Sequence, residues 1–260
     1  MSFLNRDGTL SRLKKWLSRP LTSRESKRAQ GQYVADEAEV TFTARFAACD
    51  VLARAGIPSC IWLEDALSNL GVPTEVFELF LLVPDTGLAA RALMSAGYER
   101  QEPSLALTPI PQFNNLFTPQ ETGNHSPAMD SDWTFEVPDA IRTSVILLPA
   151  KEWFYDLPES LECMTAWFPT LSQLLTALIA KWLNLYEKDW DLRLRVGIFI
   201  GYIYEYIETV REPGFEKQLP RGYWQFHFDQ VQGIRTSDLG TFSCQEHYKH
   251  ITCDIADARL

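Results

Sequence analysis

Apolar positions early in the chain recur at three- and four-residue steps. Val40, Ala44, Ala47, Ala48, Val51 and Leu52 predict a helix between Asp36 and Ala55, closed by Gly56. After Ile57-Pro58 the period is lost. Ser59 to Leu63 is a short apolar run suited to a buried strand, and Glu64 to Leu70 a short helix stopped by Gly71. Val76 to Val83 is apolar on both faces apart from Glu78, the pattern of a strand covered from both sides. Pro84-Asp85-Thr86 marks a stop followed by a helix start, and the next helix runs to about Ser95 and ends at Gly97.

Prolines at 103, 109, 111, 119 and 127, set among Asn, Ser, Gly and Thr, predict a long loop or insertion over 101–131. Trp133 to Val137 and Arg142 to Leu148 follow as two further strands, giving a sheet of about four. Beyond Pro158 the period becomes helical again. Leu171, Leu174, Leu175, Leu178, Ile179, Trp182 and Leu183 form one stripe; Leu192, Val196, Phe199, Ile200, Ile203, Tyr204 and Ile207 form another, predicting two antiparallel helices. Residues 215–260 show only an alternating, strand-like piece, Tyr223-Trp224-Gln225-Phe226-His227-Phe228. The expected organisation is therefore a segment 1–35, an α+β core over 36–157 containing the 101–131 insertion, a helical segment 158–214 and a tail 215–260.

Charge divides the chain differently. Residues 1–30 hold eight basic side chains (Arg6, Arg12, Lys14, Lys15, Arg19, Arg24, Lys27 and Arg28) against Asp7 and Glu25, within a protein of net charge −10. A basic arm precedes an acidic body. Leu10, Leu13, Leu17 and Leu21 with Trp16 predict a short amphipathic helix in that arm. The overall acidity argues against a nucleic-acid partner, whose phosphates are neutralised by Lys and Arg. The apolar run from Val196 is broken at Glu205, well short of the ~20 residues a spanning helix needs, so no membrane span is expected. Five scattered cysteines point to a reducing compartment, and the expected location is cytoplasmic. Nothing in the pattern fixes an oligomeric state.

The segment from Gly56 to Asp85, with Ala66-Leu67, Gly71-Val72-Pro73 and the strand to Val83, resembles the core of the nucleotidyltransferase superfamily, especially its degenerate fungal branch. The resemblance covers roughly residues 40–100 and, more loosely, 169–209. It implies an α+β, nucleotidyltransferase-like mixed sheet flanked by helices, with a C-terminal helical segment. In that family a strand enters a Gly-Gly or Gly-Ser turn. A later strand carries two carboxylates two residues apart, which point to one side and hold the divalent metal bridging the nucleotide phosphates. Here the first carboxylate position is Glu78, but its partner position is Phe80, and Leu63-Glu64 replaces the glycines. That pair cannot build a two-metal site, and a third acid from Asp130, Asp132 or Glu136 would not restore the missing ligand.

What is expected instead is a cleft between sheet and helices that takes a small, largely apolar molecule, with no cofactor and no bound metal. Glu78, Glu64 and Asp65 are the candidate catalytic acids, Glu78 foremost because a carboxylate in an apolar strand is desolvated and its pKa raised. Trp62, Phe80, Trp133, Trp182 and Tyr186 are the candidate substrate-binding aromatics. An enzyme built this way would be a metal-independent cyclase or isomerase, of the kind used in fungal secondary metabolism; the alternatives are a non-catalytic binding or regulatory pseudoenzyme and residual nucleotidyl transfer. Cys244, His247, His250 and Cys253 recur every third residue, a spacing that turns successive side chains around a helix and alternates them on a strand, so a shared metal is not expected.

Overall fold

The computed structural model describes residues 45–101, 113, 115–119, 143–158, 168–234, 239 and 242–257. The basic arm, most of the insertion and the strand expected at Trp133 to Val137 lie outside them. The elements are α1 (Ala47–Arg54), β1 (Cys60–Trp62), α2 (Glu64–Asn69), β2 (Leu79–Val83), α3 (Thr86–Ser95), β3 (Tyr98–Gln101), β4 (Leu116–Pro119), β5 (Val145–Pro149), α4 (Leu171–Asn184), α5 (Trp190–Tyr206), α6 (Trp224–Val231) and α7 (Phe242–Asp257). Short 3-10 turns link several of them.

The strands form one mixed, five-stranded sheet in the order β1-β2-β5-β4-β3. β1 runs antiparallel to β2, β2 parallel to β5, and β4 antiparallel to both β5 and β3. All five residues of β2 are buried, as expected of a central strand covered on both faces. Alternation sends Leu79, Leu81 and Val83 into a core shared with α1 and α3, while Phe80 and Leu82 enter a larger core shared with the C-terminal helices. α3 is started by the Asp85 carboxylate, which accepts from the backbone N–H groups of Gly87 (2.8 Å) and Leu88 (2.9 Å). α4 is started by a capping box between Thr170 and Gln173.

Three expectations are corrected. Strands β3 and β4 were not anticipated, and β4 lies inside the segment expected to be loop. The strand-like piece at 223–228 is a 3-10 turn leading into α6. The segment 215–260 is not a loose tail: Phe215, Leu219, Phe226, Leu239, Cys244 and Tyr248 all belong to the larger core.

Polar contacts lock that segment down. The Trp182 indole N–H donates to the Leu239 carbonyl at 2.8 Å, and a Cβ on Gly197 of α5 would stand 3.0 Å from the same oxygen, so the helix needs glycine there. The Gln245 amide donates to the carbonyls of Trp182 and Leu185 at the end of α4. Between them, Tyr204 Oη and His227 Nδ1 share a hydrogen bond of 3.0 Å, and Tyr248 donates to Asp229 at 2.8 Å, satisfying polar groups that burial would otherwise penalise. Among the described residues no helix is long and apolar enough to cross a membrane.

Candidate functional site

The turn from β1 into α2 is the least ordinary backbone in the sheet layer. Leu63 has φ +52° and ψ −120°, a conformation that glycine adopts freely and a side chain does not, yet its own side chain is fully buried. This turn delivers Glu64 and Asp65 as the first two residues of α2.

The two acids have different environments. Asp65 is gripped by Arg45, whose guanidinium donates to both carboxylate oxygens at 2.6 and 2.7 Å. The same guanidinium reaches the carbonyls of Phe77 (3.3 Å) and Glu78 (3.5 Å), tying α2 to the entry of β2. Asp65 is thus a buried structural anion.

Glu64 is held more loosely. Its side chain is 12% exposed, and its nearest cation, Arg195 of α5, stands 3.6 Å away, beyond hydrogen-bond length. Oε2 is sealed from solvent and has no hydrogen-bond partner. Burial pushes the carboxyl up to about 7; Arg195 and the residue's own backbone N–H oppose the rise, while Glu78 and Asp65 add to it. The Arg195 guanidinium lies 5.5 Å above the Phe113 ring.

Glu78, expected within the strand, instead lies one residue before β2 and is half-buried. Its negative charge is close enough to Glu64 to favour the protonated form of that carboxyl. Glu64 and Arg195 form a polar rim at the start of α2 with the Glu78 charge nearby, and Asp65, though next in sequence, is occupied by Arg45.

The expected aromatic lining is core instead. Trp62 is 0%, Phe80 1% and Trp182 0% exposed. Trp62 packs against Trp153 and Tyr155, Phe80 against Phe113 at 5.0 Å, and Trp182 against Phe226 and Tyr248. Register explains the filling: Phe80 lies between Trp62 of β1 and Ile146 of β5, so three apolar side chains occupy one row of the sheet face. Tyr186 is 71% exposed and, with Glu187 and Lys188, lines a separate open hollow of about 590 Å³ at the connection between α4 and α5. Trp133, Asp130, Asp132 and Glu136 lie outside the described residues.

On the metal question, the apolar row leaves Glu78 without a carboxylate two residues on. Among the described residues no three of His, Cys, Asp and Glu group closely enough to hold a metal ion. Cys244, His247, His250 and Cys253 all fall on α7, with Cys244 buried and His250 exposed, so the first three already point in different directions.

Sequence reasoning missed Arg195 and Arg45. The first had a signal: Arg195 lies three residues after Leu192 and four before Phe199, a cation on the apolar face of α5. Comparison with protein-family models, with curated proteins and with solved structures finds no match to the chain.

Proposed function

We propose that the protein is a degenerate nucleotidyltransferase-fold protein that has left metal-assisted transfer chemistry behind and uses the Glu64–Arg195 rim to take a small, largely apolar molecule. Two observations support the family reading. Leu63 keeps a glycine backbone at the position where the family has glycine, and the chain passes from helix to strand, helix, strand and helix in the family's order before β5 joins β2 in parallel. The apolar row Trp62, Phe80 and Ile146 supports the departure from metal chemistry, since a divalent ion needs oxygen ligands there.

The observation that carries the functional reading is Glu64: a carboxyl nearly out of water, one oxygen without a partner, its proton affinity raised to about 7. Such a group is half protonated near neutrality and can donate to a substrate oxygen or double bond and then recover the proton from the adjacent carbon. Arg195 at 3.6 Å stabilises the carboxylate formed in between. The net change is an isomerisation or cyclisation, without redox partner or cofactor.

A second reading, a binding or regulatory module without turnover, is favoured by the burial of Trp62, Phe80 and Trp182, which fills the sheet face. Ligand-observed NMR with a panel of neutral apolar fragments separates the two. The first reading expects fragments that shift the Glu64 carboxyl resonance; a panel that leaves Glu64 untouched removes it and leaves the module.

A further inference from the structure

The rim has enough chemistry to name a ligand class, an inference that rests on the small-molecule reading above. A guanidinium carries five N–H donors in a planar fork that matches a carboxylate. The Arg195 side chain is 30% exposed, and its guanidinium has Glu64 as its ionic partner at 3.6 Å and lies 5.5 Å from the centre of the buried Phe113 ring. Among the described residues it makes no closer polar contact, so its fork is offered outward.

Among the described residues, Glu64 pairs with Arg195 from α2, the Glu78 charge acts on Glu64 from the approach to β2, and Asp65 is already neutralised by the two-point grip of Arg45. With its proton, Glu64 is a neutral donor and leaves Arg195 free to pair elsewhere. Without it, Glu64 claims Arg195 and adds a negative charge that repels an anion.

We infer that the Arg195–Glu64 rim binds the carboxylate of a small acid with an apolar body, the guanidinium fork taking the carboxylate oxygens and the Glu64 acid donating to one of them. Binding is then coupled to one proton on Glu64. Above neutrality the protein must take up that proton to bind, so affinity falls with rising pH.

The test uses the full chain and cyclohexanecarboxylate as probe, with Kd measured by NMR titration at pH 6, 7 and 8 and folding of each variant checked by circular dichroism. Wild type is expected to bind progressively more weakly above pH 7, approaching tenfold per pH unit. Glu64→Gln, a donor at every pH, is expected to bind with no such slope. Arg195→Gln is expected to lose on the order of tenfold to a hundredfold, and Arg195→Lys, which keeps the charge but not the fork, to fall between. Equal affinity at pH 6 and 8, unchanged binding in Arg195→Gln, or no saturable binding to wild type overturns the inference. Neutral cyclohexanone separates this from the underlying reading: if it moves the Glu64 resonance while the acid does not bind, the carboxylate assignment falls and the small-molecule site stands. If neither binds, both fall.

Discussion

Replacing Phe80 with alanine asks whether the sheet face is core or cleft. The ring is 1% exposed, packs 5.0 Å from Phe113, and shares a row with Trp62 and Ile146. Truncating a buried Phe costs about 3–5 kcal/mol through lost transfer energy and the cavity left behind, and this ring sits between neighbours fixed by strand pairing that cannot collapse inward. A fold of this size has about 5–15 kcal/mol of stability in all, so the variant should unfold at visibly lower urea concentration. The assay is urea unfolding followed by tryptophan fluorescence, with equal m-values required of both proteins. A loss below about 1 kcal/mol would place Phe80 on an open surface, where truncation costs little, and would refute the filled face.

Leu63 should invert the usual ranking: with φ at +52°, Leu63→Gly is expected to be more stable than Leu63→Ala by about 1 kcal/mol, because only glycine relieves the backbone, and urea midpoints measure it. Arg45→Ala strands the buried Asp65 carboxylate and releases the carbonyls of Phe77 and Glu78, so thermal melts should show a loss of about 3–5 kcal/mol, partly recovered by adding Asp65→Asn. Glu64 binds a proton in the folded state between its ordinary 4.5 and about 7, so its contribution to stability is present below that window and lost as pH rises through it. Glu64→Gln lacks that loss, and its stability relative to wild type should rise by about 2–3 kcal/mol from pH 5 to pH 8 in urea titrations.

The helices over 171–184 and 190–206 and the buried strand 79–83 were legible because burial imposes a period on the sequence. β3 was not, since three of its four residues, Glu99, Arg100 and Gln101, are exposed at the sheet edge and follow no apolar alternation. β4 was hidden among prolines, one of which, Pro119, is its last residue. α6 misled for a physical reason. Its buried face includes His227, Asp229 and Gln230, and the partners that make two of them tolerable, Tyr204 and Tyr248, come from other helices.

For the site, chain proximity identified Glu64, Asp65 and Glu78, and the structure then separates them: Asp65 pairs with Arg45, Glu64 with Arg195, and Glu78 acts on Glu64 through its charge. The aromatics were overread. Trp62, Phe80 and Trp182 have the apolar area of ligand-binding side chains, and only their register and packing show that the core uses it.

The Glu64 carboxyl itself is the most direct witness. Carbon-13 NMR of glutamate-labelled protein, assigned through Glu64→Gln, should show it titrating near pH 7, and the midpoint should stay in place when magnesium and ATP are added. A midpoint near 4.5, or a large downward shift on adding magnesium with ATP, would contradict a buried, metal-independent acid.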